Sequence, residues 1–274
     1  IDEIHKAPNF SQELKKIYDF IDIKIIFSGS SALEIEHSKV DLSRRVLFYN
    51  LPSLSLREFI GIKYHINIPA YSLDDIINHH EEITQTLRKQ ITPLEVFENY
   101  KNFGSYPFFT EGELGYNLRL NEISNIILDS ELAIIYNVDS DKIFMIRKLL
   151  QLLCQSVPIE LNIQNLSRST GISRNTLYSY LYYLQTSNLI QIIGGSFKNK
   201  KLLNKPDKIY LDNVNLYNIF CDNKNNGSLR ECFFVSQLKN SHHLKYSNIG
   251  DFIIDDKYIV EIGGKNKSFQ QIKD

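Results

Sequence analysis

Tryptophan is absent from this 274-residue sequence, and cysteine, methionine and long apolar runs are scarce. The apolar runs are only strand-length, as in residues 21–27, which excludes a membrane-spanning helix. The three cysteines, Cys154, Cys221 and Cys232, show no Cys-x-x-Cys spacing, which disfavours structural zinc and fits a reducing cytosol. Acidic and basic residues nearly balance at a formal net charge of −1, so nucleic-acid binding would need a local patch, and no membrane partner is expected. These absences predict a soluble cytoplasmic protein.

The spacing of apolar residues changes along the chain and predicts an α/β protein of several segments. Residues 1–62 combine a helix-like stretch at 10–20 with a strand-like run at 23–32, as in a sheet with crossover helices. Residues 63–140 keep helical spacing with almost no β-rich alternation, which predicts an all-α region. Two further segments follow, at residues 141–200 and 201–274.

The third segment has the clearest local pattern, which predicts two helices joined by a tight turn. Asn162 and Ser173 are placed to cap the first and the second helix, and Gly171 lies in the turn between them. Three leucines at spacings of four and three residues predict one buried stripe on the second helix. They are Leu177, Leu181 and Leu184.

A strand, a turn and a returning strand are predicted next, at Leu189–Ile193, Gly194–Gly195 and Phe197, which completes a winged helix-turn-helix at 141–200. In DNA-binding versions of this fold the start of the second helix meets base edges. The candidate residues are Arg174, Asn175 and Tyr178 on that helix, and Lys198, Lys200 and Lys201 in the wing near phosphates. The same fold also serves as a protein-contact module, so duplex DNA and a protein both stay open as partners.

The last segment contains a cluster of carboxylates around a predicted hairpin at 251–261. With a three-residue loop Asp251 lies opposite Glu261 on one face, whereas a two-residue loop sends them to opposite faces. Glu231 lies on the preceding predicted helix. Converging carboxylates followed by a lysine are the parts of a Mg²⁺-dependent phosphodiesterase site.

This arrangement resembles the PD-(D/E)xK nuclease fold, which requires a Glu-x-Lys spacing. The sequence departs from that spacing, because Glu261 is followed by Ile262 and Gly263, and the lysine, Lys265, stands two residues late. We therefore expect residues 201–274 to form a nuclease-like domain without nuclease activity.

The first six residues, IDEIHK, have the form of a Walker B strand end, in which an apolar residue precedes Asp-Glu. In such a site Asp2 would hold Mg²⁺ through its waters, and Glu3 would polarise the water that attacks the γ-phosphate. The next strand-like run ends in Ser28 and Ser30, which could present a hydroxyl to the same site. Arg45 further on is a candidate arginine finger, contributed to a neighbouring subunit of a homo-oligomer.

The chain as a series resembles prokaryotic AAA+-type (P-loop) ATPases whose C-terminal part is a nuclease-like domain of unknown function. The resemblance is carried by IDEIHK, FSGSSALEI, LSRRV, LPSLSLREFI, YPFF, GISRNTLYSYLYYLQTSNLI, DKIYLDN, LRECFFVSQL and VEIGGKNK, in that order. It implies that 1–62 is the C-terminal half of an ATPase core and 63–140 a helical lid. It also implies Asp2 and Glu3 as Walker B, Ser28 or Ser30 as sensor, and Arg45 as the finger. Arg44 stands where that family usually has glycine, which leaves open which arginine acts.

The phosphate-binding loop that such an ATPase needs is not found in this sequence. No G-x-x-x-x-G-K-[ST] occurs, and GGKN at 263–266 lacks the earlier glycine and the hydroxyl residue. Because the first residue is Ile1 and the one methionine is Met145, we expect a fragment whose loop precedes Ile1. The intact protein would bind ATP and Mg²⁺, and this chain alone would bind neither tightly. The alternative is an interaction module for DNA or protein without catalysis.

Overall fold

A computed structural model of the chain describes residues 1–29, 42, 44–155, 159–160, 163–194, 208–222, 225–247 and 249–264. The chain divides into a first unit, residues 1–51, 122–153 and 159–212, and a second unit, residues 52–121, 154–158 and 213–274. The fold is mixed α/β, mostly helical with two small sheets, which confirms the predicted class only in this coarse form. Among the described residues, no helix is long and apolar enough to cross a bilayer.

The first unit begins with two parallel stretches of backbone joined by a helix, α1 (Phe10–Phe20). The Ile1 nitrogen donates to the Ile26 carbonyl at 2.7 Å, and the Ser28 N–H donates to the Ile1 carbonyl at 2.9 Å. The Ile4 N–H donates to the Ser28 carbonyl at 2.8 Å. α1 has the predicted bounds, which confirms this helix, whereas the described residues 1–29 contain no assigned strand, so the predicted sheet around it stays a prediction.

The large apolar side chains of residues 1–51 include a buried cluster and several that are exposed. The buried members are Ile4, Leu14 and Leu42, against which pack Phe10, Ile25, Phe27, Val46 and Phe48. The exposed members, which we call the apolar flank, are Phe20, Ile26, Leu47, Tyr49 and Leu51. Each side chain of the flank is at least 81 % exposed, so this part of the first unit buries only some of its large apolar residues.

The predicted all-α region, residues 63–140, contains helices and turns and no strand among its described residues, which confirms that prediction. A helix that begins before it, α2 (Leu56–Tyr64), crosses its first boundary. It is followed by α3 (Leu73–Arg88), α4 (Pro93–Phe103), a 3₁₀ turn (Pro107–Glu111), α5 (Tyr116–Ile126), a π turn (Ile127–Glu131) and α6 (Leu132–Tyr136). Ser55 and Ser72 begin α2 and α3 with capping boxes, in which the serine oxygen and an acidic side chain satisfy the free N–H groups of the first turn. A further helix, α7 (Ser140–Gln155), follows in the next segment.

The helix-turn-helix part of the first unit forms largely as its sequence predicts. After β1 (Ile159–Glu160) come α8 (Ile163–Thr170) and α9 (Arg174–Thr186), and Gly171 between the helices has a φ of 74°. The Ser173 hydroxyl caps α9 by accepting from the Thr176 N–H at 3.3 Å. The predicted stripe of Leu177, Leu181 and Leu184 is fully buried. The other predicted cap, Asn162, lies outside the described residues.

The first strand predicted after this helix is confirmed, and it pairs with a strand further along the chain. β2 (Ile190–Ile193) pairs antiparallel with β3 (Lys208–Leu211), which also pairs with β1, so the sheet order is β1-β3-β2. The sequence places the returning strand at Phe197, which lies outside the described residues, as do 195–207 in general. β2 and β3 both belong to the first unit.

The second unit ends with two helices and a three-stranded antiparallel meander. The helices are α10 (Leu216–Phe220) and α11 (Asn226–Leu238), and the strands are β4 (Leu244–Tyr246), β5 (Phe252–Ile254) and β6 (Tyr258–Val260) in the order β4-β5-β6. Ile254 pairs with Tyr258, so the hairpin has the three-residue loop 255–257. Of the two registers that the sequence left open, this is the one in which Asp251 and Glu261 stand opposite each other.

A buried polar network ties the middle of the second unit together around Asn215. Its side-chain oxygen accepts from the Ser105 N–H and the Tyr116 hydroxyl, both at 2.6 Å. Its side-chain nitrogen donates to the carbonyls of Tyr100 and Lys101 at 2.9 and 2.7 Å. Asn215 is fully buried, and all four of its side-chain hydrogen-bonding positions are satisfied.

A disulfide also forms in the second unit, between Cys154 and Cys221, whose Cα atoms lie 5.2 Å apart. The remaining cysteine, Cys232, is a buried free thiol. Nothing in the cysteine spacing predicts this bond, and the interpretation of the three cysteines as those of a reducing compartment does not account for it.

Candidate functional site

The carboxylate of Asp2 lies where the two parallel backbone stretches of the first unit come together. The Ser28 hydroxyl donates a hydrogen bond to Asp2 Oδ1. This bond, together with one from the backbone of Glu3, lowers the pKa of the Asp2 carboxyl below its ordinary value. Two residues that stand 26 positions apart are therefore joined by a hydrogen bond, and the sequence predicts a Walker B aspartate and a neighbouring hydroxyl at these two positions.

Glu3 follows directly and has an unusual backbone conformation. Its φ of 51° and ψ of 44° are left-handed, which is uncommon for a residue with a side chain. This residue directly precedes a 3₁₀ turn at Ile4–Lys6. The Glu3 carboxylate lies 3.4 Å from the ammonium of Lys6. Glu3 is also the residue that the sequence predicts as the catalytic base. Backbone outliers of this kind cluster at functional sites, so the residue is worth testing for function.

Arg45, the predicted finger, binds a residue of its own chain. Its guanidinium donates twice to Asp19 near the end of α1, with Nε 3.0 Å from Oδ1 and Nη2 3.1 Å from Oδ2. Two parallel bonds of this kind orient an arginine firmly. Arg44 has a left-handed φ of 72°. Ser30, the alternative sensor, lies outside the described residues.

The chemistry of this cluster fits a hard cation. Asp2 and Ser28 present oxygen atoms, the ligands that Mg²⁺ prefers, and Mg²⁺ commonly keeps several waters when only one or two protein carboxylates are near it. In the part of the chain that the structure describes, no three His, Cys, Asp or Glu side chains lie close enough to share a metal ion. A cation at Asp2 would therefore depend on water and on phosphate oxygens for its other ligands.

The predicted DNA-contacting residues on α9 differ in their exposure. Arg174 and Asn175, in the first turn, are exposed, whereas Tyr178 is half-buried. Asn175 also lines an open cleft between α9 and the turn that joins α6 to α7. The wing lysines, Lys198, Lys200 and Lys201, lie outside the described residues.

In the carboxylate segment of the second unit, Asp251 forms hydrogen bonds with the backbone of its own hairpin. Asp251 Oδ2 accepts from the Ile262 N–H at 2.7 Å, and the Asp251 N–H donates to the Val260 carbonyl at 2.8 Å. Glu231 on α11 is buried, at 7 % exposure. Lys265, which decides whether the cluster has a positive partner, lies outside the described residues. The strand pairing ends at Phe252 and Val260, so the convergence of Asp251 and Glu261 stays a prediction, and the described residues contain no three-ligand metal centre.

Comparison with known proteins supports the N-terminal part of this picture. Residues 1–60 match a family described as an AAA domain, and residues 95–227 match a domain of unknown function, DUF8612. Across 99 % of its length the chain is 25 % identical to an uncharacterized protein of Methanocaldococcus jannaschii, MJ1637. The chain spans only 62 % of that relative, and no solved structure matches it. The AAA-type resemblance is thus supported by a match over residues 1–60, and none of these matches names a winged helix or a nuclease.

Sequence reasoning found Asp2, Glu3 and Ser28 but missed the partner of Arg45. The Asp-Glu pair after an apolar residue and the polar end of the next strand are visible in the sequence. Asp19 carries no comparable signal, because it stands among other polar residues of an amphipathic helix. The pairing of Asp19 with Arg45 is seen only in the folded chain, where the end of α1 lies next to residue 45.

Proposed function

We propose that residues 1–60 form the magnesium- and water-handling half of an ATPase site. The observation that carries the proposal is the hydrogen bond from Ser28 to Asp2 across two parallel strand ends, within residues that match an AAA domain. Asp2 would hold Mg²⁺ through water, Ser28 would orient Asp2 and sense the γ-phosphate, and Glu3 would be the base. ATP hydrolysis would then drive rearrangement of the rest of the chain.

The phosphate-binding loop of this site would come from polypeptide outside these 274 residues, because no loop of that type occurs within them. The apolar flank supports this proposal. The five side chains of the apolar flank are at least 81 % exposed to water. A further strand and helix of an ATPase core would cover them. Arg45 would act as an arginine finger in a homo-oligomer only after its two hydrogen bonds to Asp19 break.

Replacing Glu3 with glutamine in the full-length protein, with its phosphate-binding loop, is expected to abolish most ATP hydrolysis while ATP binding persists. The amide keeps the size of the side chain but cannot accept the proton of the attacking water. General-base catalysis is worth roughly 10²–10⁴-fold, so the turnover rate should fall by about that factor. Phosphate release and the affinity for a fluorescent ATP analogue are the two measurements.

Glu13→Gln is the matched control, since Glu13 lies on α1 and pairs with Lys16 at 2.7 Å, away from Asp2. This variant should hydrolyse ATP at the normal rate. If Glu3→Gln turns over ATP as fast as Glu13→Gln, then Glu3 is not the base and the assignment of Walker B to residues 2 and 3 fails.

A second candidate function is binding of duplex DNA or of a protein by the helix-turn-helix. It is favoured by the exposed Arg174 at the start of a capped helix and by the following antiparallel strands. We interpret α7 to α9 with β1 to β3 as a winged helix, whose wing would contain the three lysines at 198, 200 and 201. The chain has no strong global charge, so any DNA binding would depend on this patch.

If this module binds duplex DNA, Lys200→Ala combined with Lys201→Ala is expected to weaken binding to all sequences alike and to flatten the salt dependence. Phosphate contacts carry no sequence information, and each lost contact removes about 0.9 from the logarithmic salt slope. Arg174→Ala should instead change the preferred sequence, because the start of such a helix meets base edges. Titrations of labelled duplexes at several salt concentrations measure both effects. Absence of any duplex binding at low salt would leave the protein-contact function.

We propose that the carboxylate segment of the second unit is a scaffold that does not cleave nucleic acid. The proposal is supported by the bond between Asp251 and the Ile262 backbone and by the late position of Lys265. Mg²⁺-dependent nicking of a supercoiled plasmid, lost in Asp251→Ala, would contradict it.

A further inference from the structure

An open cleft of about 300 Å³ lies in the first unit against the start of α9, and we call it the α9 cleft. One side is α9 itself, and the other is the turn between α6 and α7. Its lining combines three tyrosines with amides, hydroxyls and one ammonium. The lining residues are Tyr136, Asn137, Val138, Lys142, Asn175, Thr176, Ser179, Tyr180 and Tyr183. The volume is at the lower end of the range of small-molecule sites, about 300–1,000 Å³.

The aromatic side of the α9 cleft offers a flat stacking surface. The rings of Tyr136 and Tyr183 are stacked, with centroids 3.7 Å apart and planes 13° from parallel. Tyr183 lies on α9 and Tyr136 ends α6, so the stack holds the two sides of the cleft together. Tyr180 lies next to this stack and is buried, which raises the pKa of its phenol. A flat ring can continue such a stack at low cost in side-chain entropy.

The polar side of the α9 cleft offers hydrogen bonds rather than net charge. Asn175 and Ser179 stand four residues apart on one face of α9. Asn137 faces them from the turn, where its φ of 51° reverses the chain between α6 and α7. Lys142 is already paired with Asp139 at 2.5 Å, and this bond raises the pKa of its ammonium. The cleft therefore suits a ligand that is flat and has donors and acceptors along one edge, more than it suits an anion.

We propose that the α9 cleft binds an unstacked nucleobase of single-stranded nucleic acid. Every base has a flat face for an aromatic stack, and amide side chains match the donor and acceptor pairs on base edges. A base within a duplex is covered on both faces by its neighbours and is not available to such a cleft, whereas a single strand presents its bases freely. The inference rests on the second candidate function, that the helix-turn-helix segment binds nucleic acid, and it changes the substrate from duplex to single strand.

The test compares a fluorescently labelled DNA strand of about twelve nucleotides, within the span of known single-strand sites, with the same strand in a duplex. The full chain should bind the single strand more tightly. Tyr136→Ala should weaken that binding roughly 5- to 150-fold, the effect of removing one stacking partner. Phe144→Ala is the matched control, because Phe144 is an exposed aromatic residue of α7 that does not line the cleft, and it should leave the affinity unchanged.

Asn137→Gly is the second variant, in case Tyr136→Ala loosens the fold. Glycine keeps the left-handed backbone and removes only the amide, so a loss of single-strand affinity in this variant supports the cleft directly. Tight duplex binding with no single-strand binding would overturn the inference while leaving the helix-turn-helix function intact. Unchanged single-strand affinity in both variants, or no binding of either DNA at low salt, would also overturn it. Displacement of the strand by an equal concentration of a free nucleoside would reassign the α9 cleft to a small molecule.

Discussion

Asn215→Leu is expected to lower the free energy of unfolding by about 4 kcal/mol, since two buried groups are left unsatisfied and each costs about 1–3 kcal/mol. Leucine removes the acceptor for the Ser105 N–H and the Tyr116 hydroxyl, whereas the carbonyls of Tyr100 and Lys101 keep other donors, the Gly104 N–H and the Asn218 amide. Ser105 and Tyr116 are themselves buried, so water cannot replace the lost partner. The effect should be among the largest that any single substitution produces in this protein.

Urea unfolding followed by circular dichroism measures this change, because the chain has no tryptophan to report on it. Asn218→Ala is the matched control. The Asn218 amide also donates to backbone carbonyls, those of Lys101 and Asn102 at 3.0 Å, but it is only half-buried and water can take its place. If both variants unfold at the same urea concentration, the network around Asn215 does not anchor the second unit.

Reduction of the bond between Cys154 and Cys221 is expected to lower the free energy of unfolding by about 4 kcal/mol, the chain-entropy value for a loop of this length. The two cysteines stand 67 residues apart, so the bond removes many conformations from the unfolded chain. The double variant Cys154→Ser with Cys221→Ser should show the same loss without reductant. Unfolding midpoints with and without reductant measure the effect.

The double variant is its own control, because adding reductant to it should change nothing further. Thiol counting gives an independent result on the native chain. One reactive thiol, that of Cys232, should appear in unfolded protein before reduction, and three after it. Three thiols in protein purified without reductant would show that the bond does not form.

Local patterns in the sequence predict local structure well in this protein. The bounds of α1, the cap at Ser173, the turn at Gly171 and the leucine stripe of α9 are all confirmed. Each depends on residues within a turn or two of one another, where hydrogen-bonding and rotamer preferences act directly. The hairpin at 251–261 was predicted with two registers, and the three-residue loop of the structure selects one of them.

Of the candidate site, the sequence predicted the residue types but not their partners. Asp2 and Ser28 were identified from strand ends, and the structure adds the hydrogen bond that joins them. The sequence indicates Arg45 as a candidate arginine finger, and the structure pairs it with Asp19. The α9 cleft has no sequence signature, because its two sides come from α9 and from the turn before α7.

Local patterns are enough to predict α1, the helical middle region and α9 with its cap at Ser173, because propensity and apolar period are properties of neighbouring residues. Three long-range interactions are seen only in the tertiary structure. They are the pairing of β2 with β3, the disulfide between Cys154 and Cys221, and the hydrogen bonds of Asn215 to residues more than 100 positions away. Such pairings depend on which distant segments the whole chain brings together. No period or spacing in a single sequence indicates which distant segments will pair. The entropic cost of closing a loop changes only slowly with its length, so chain separation alone favours no particular pairing strongly.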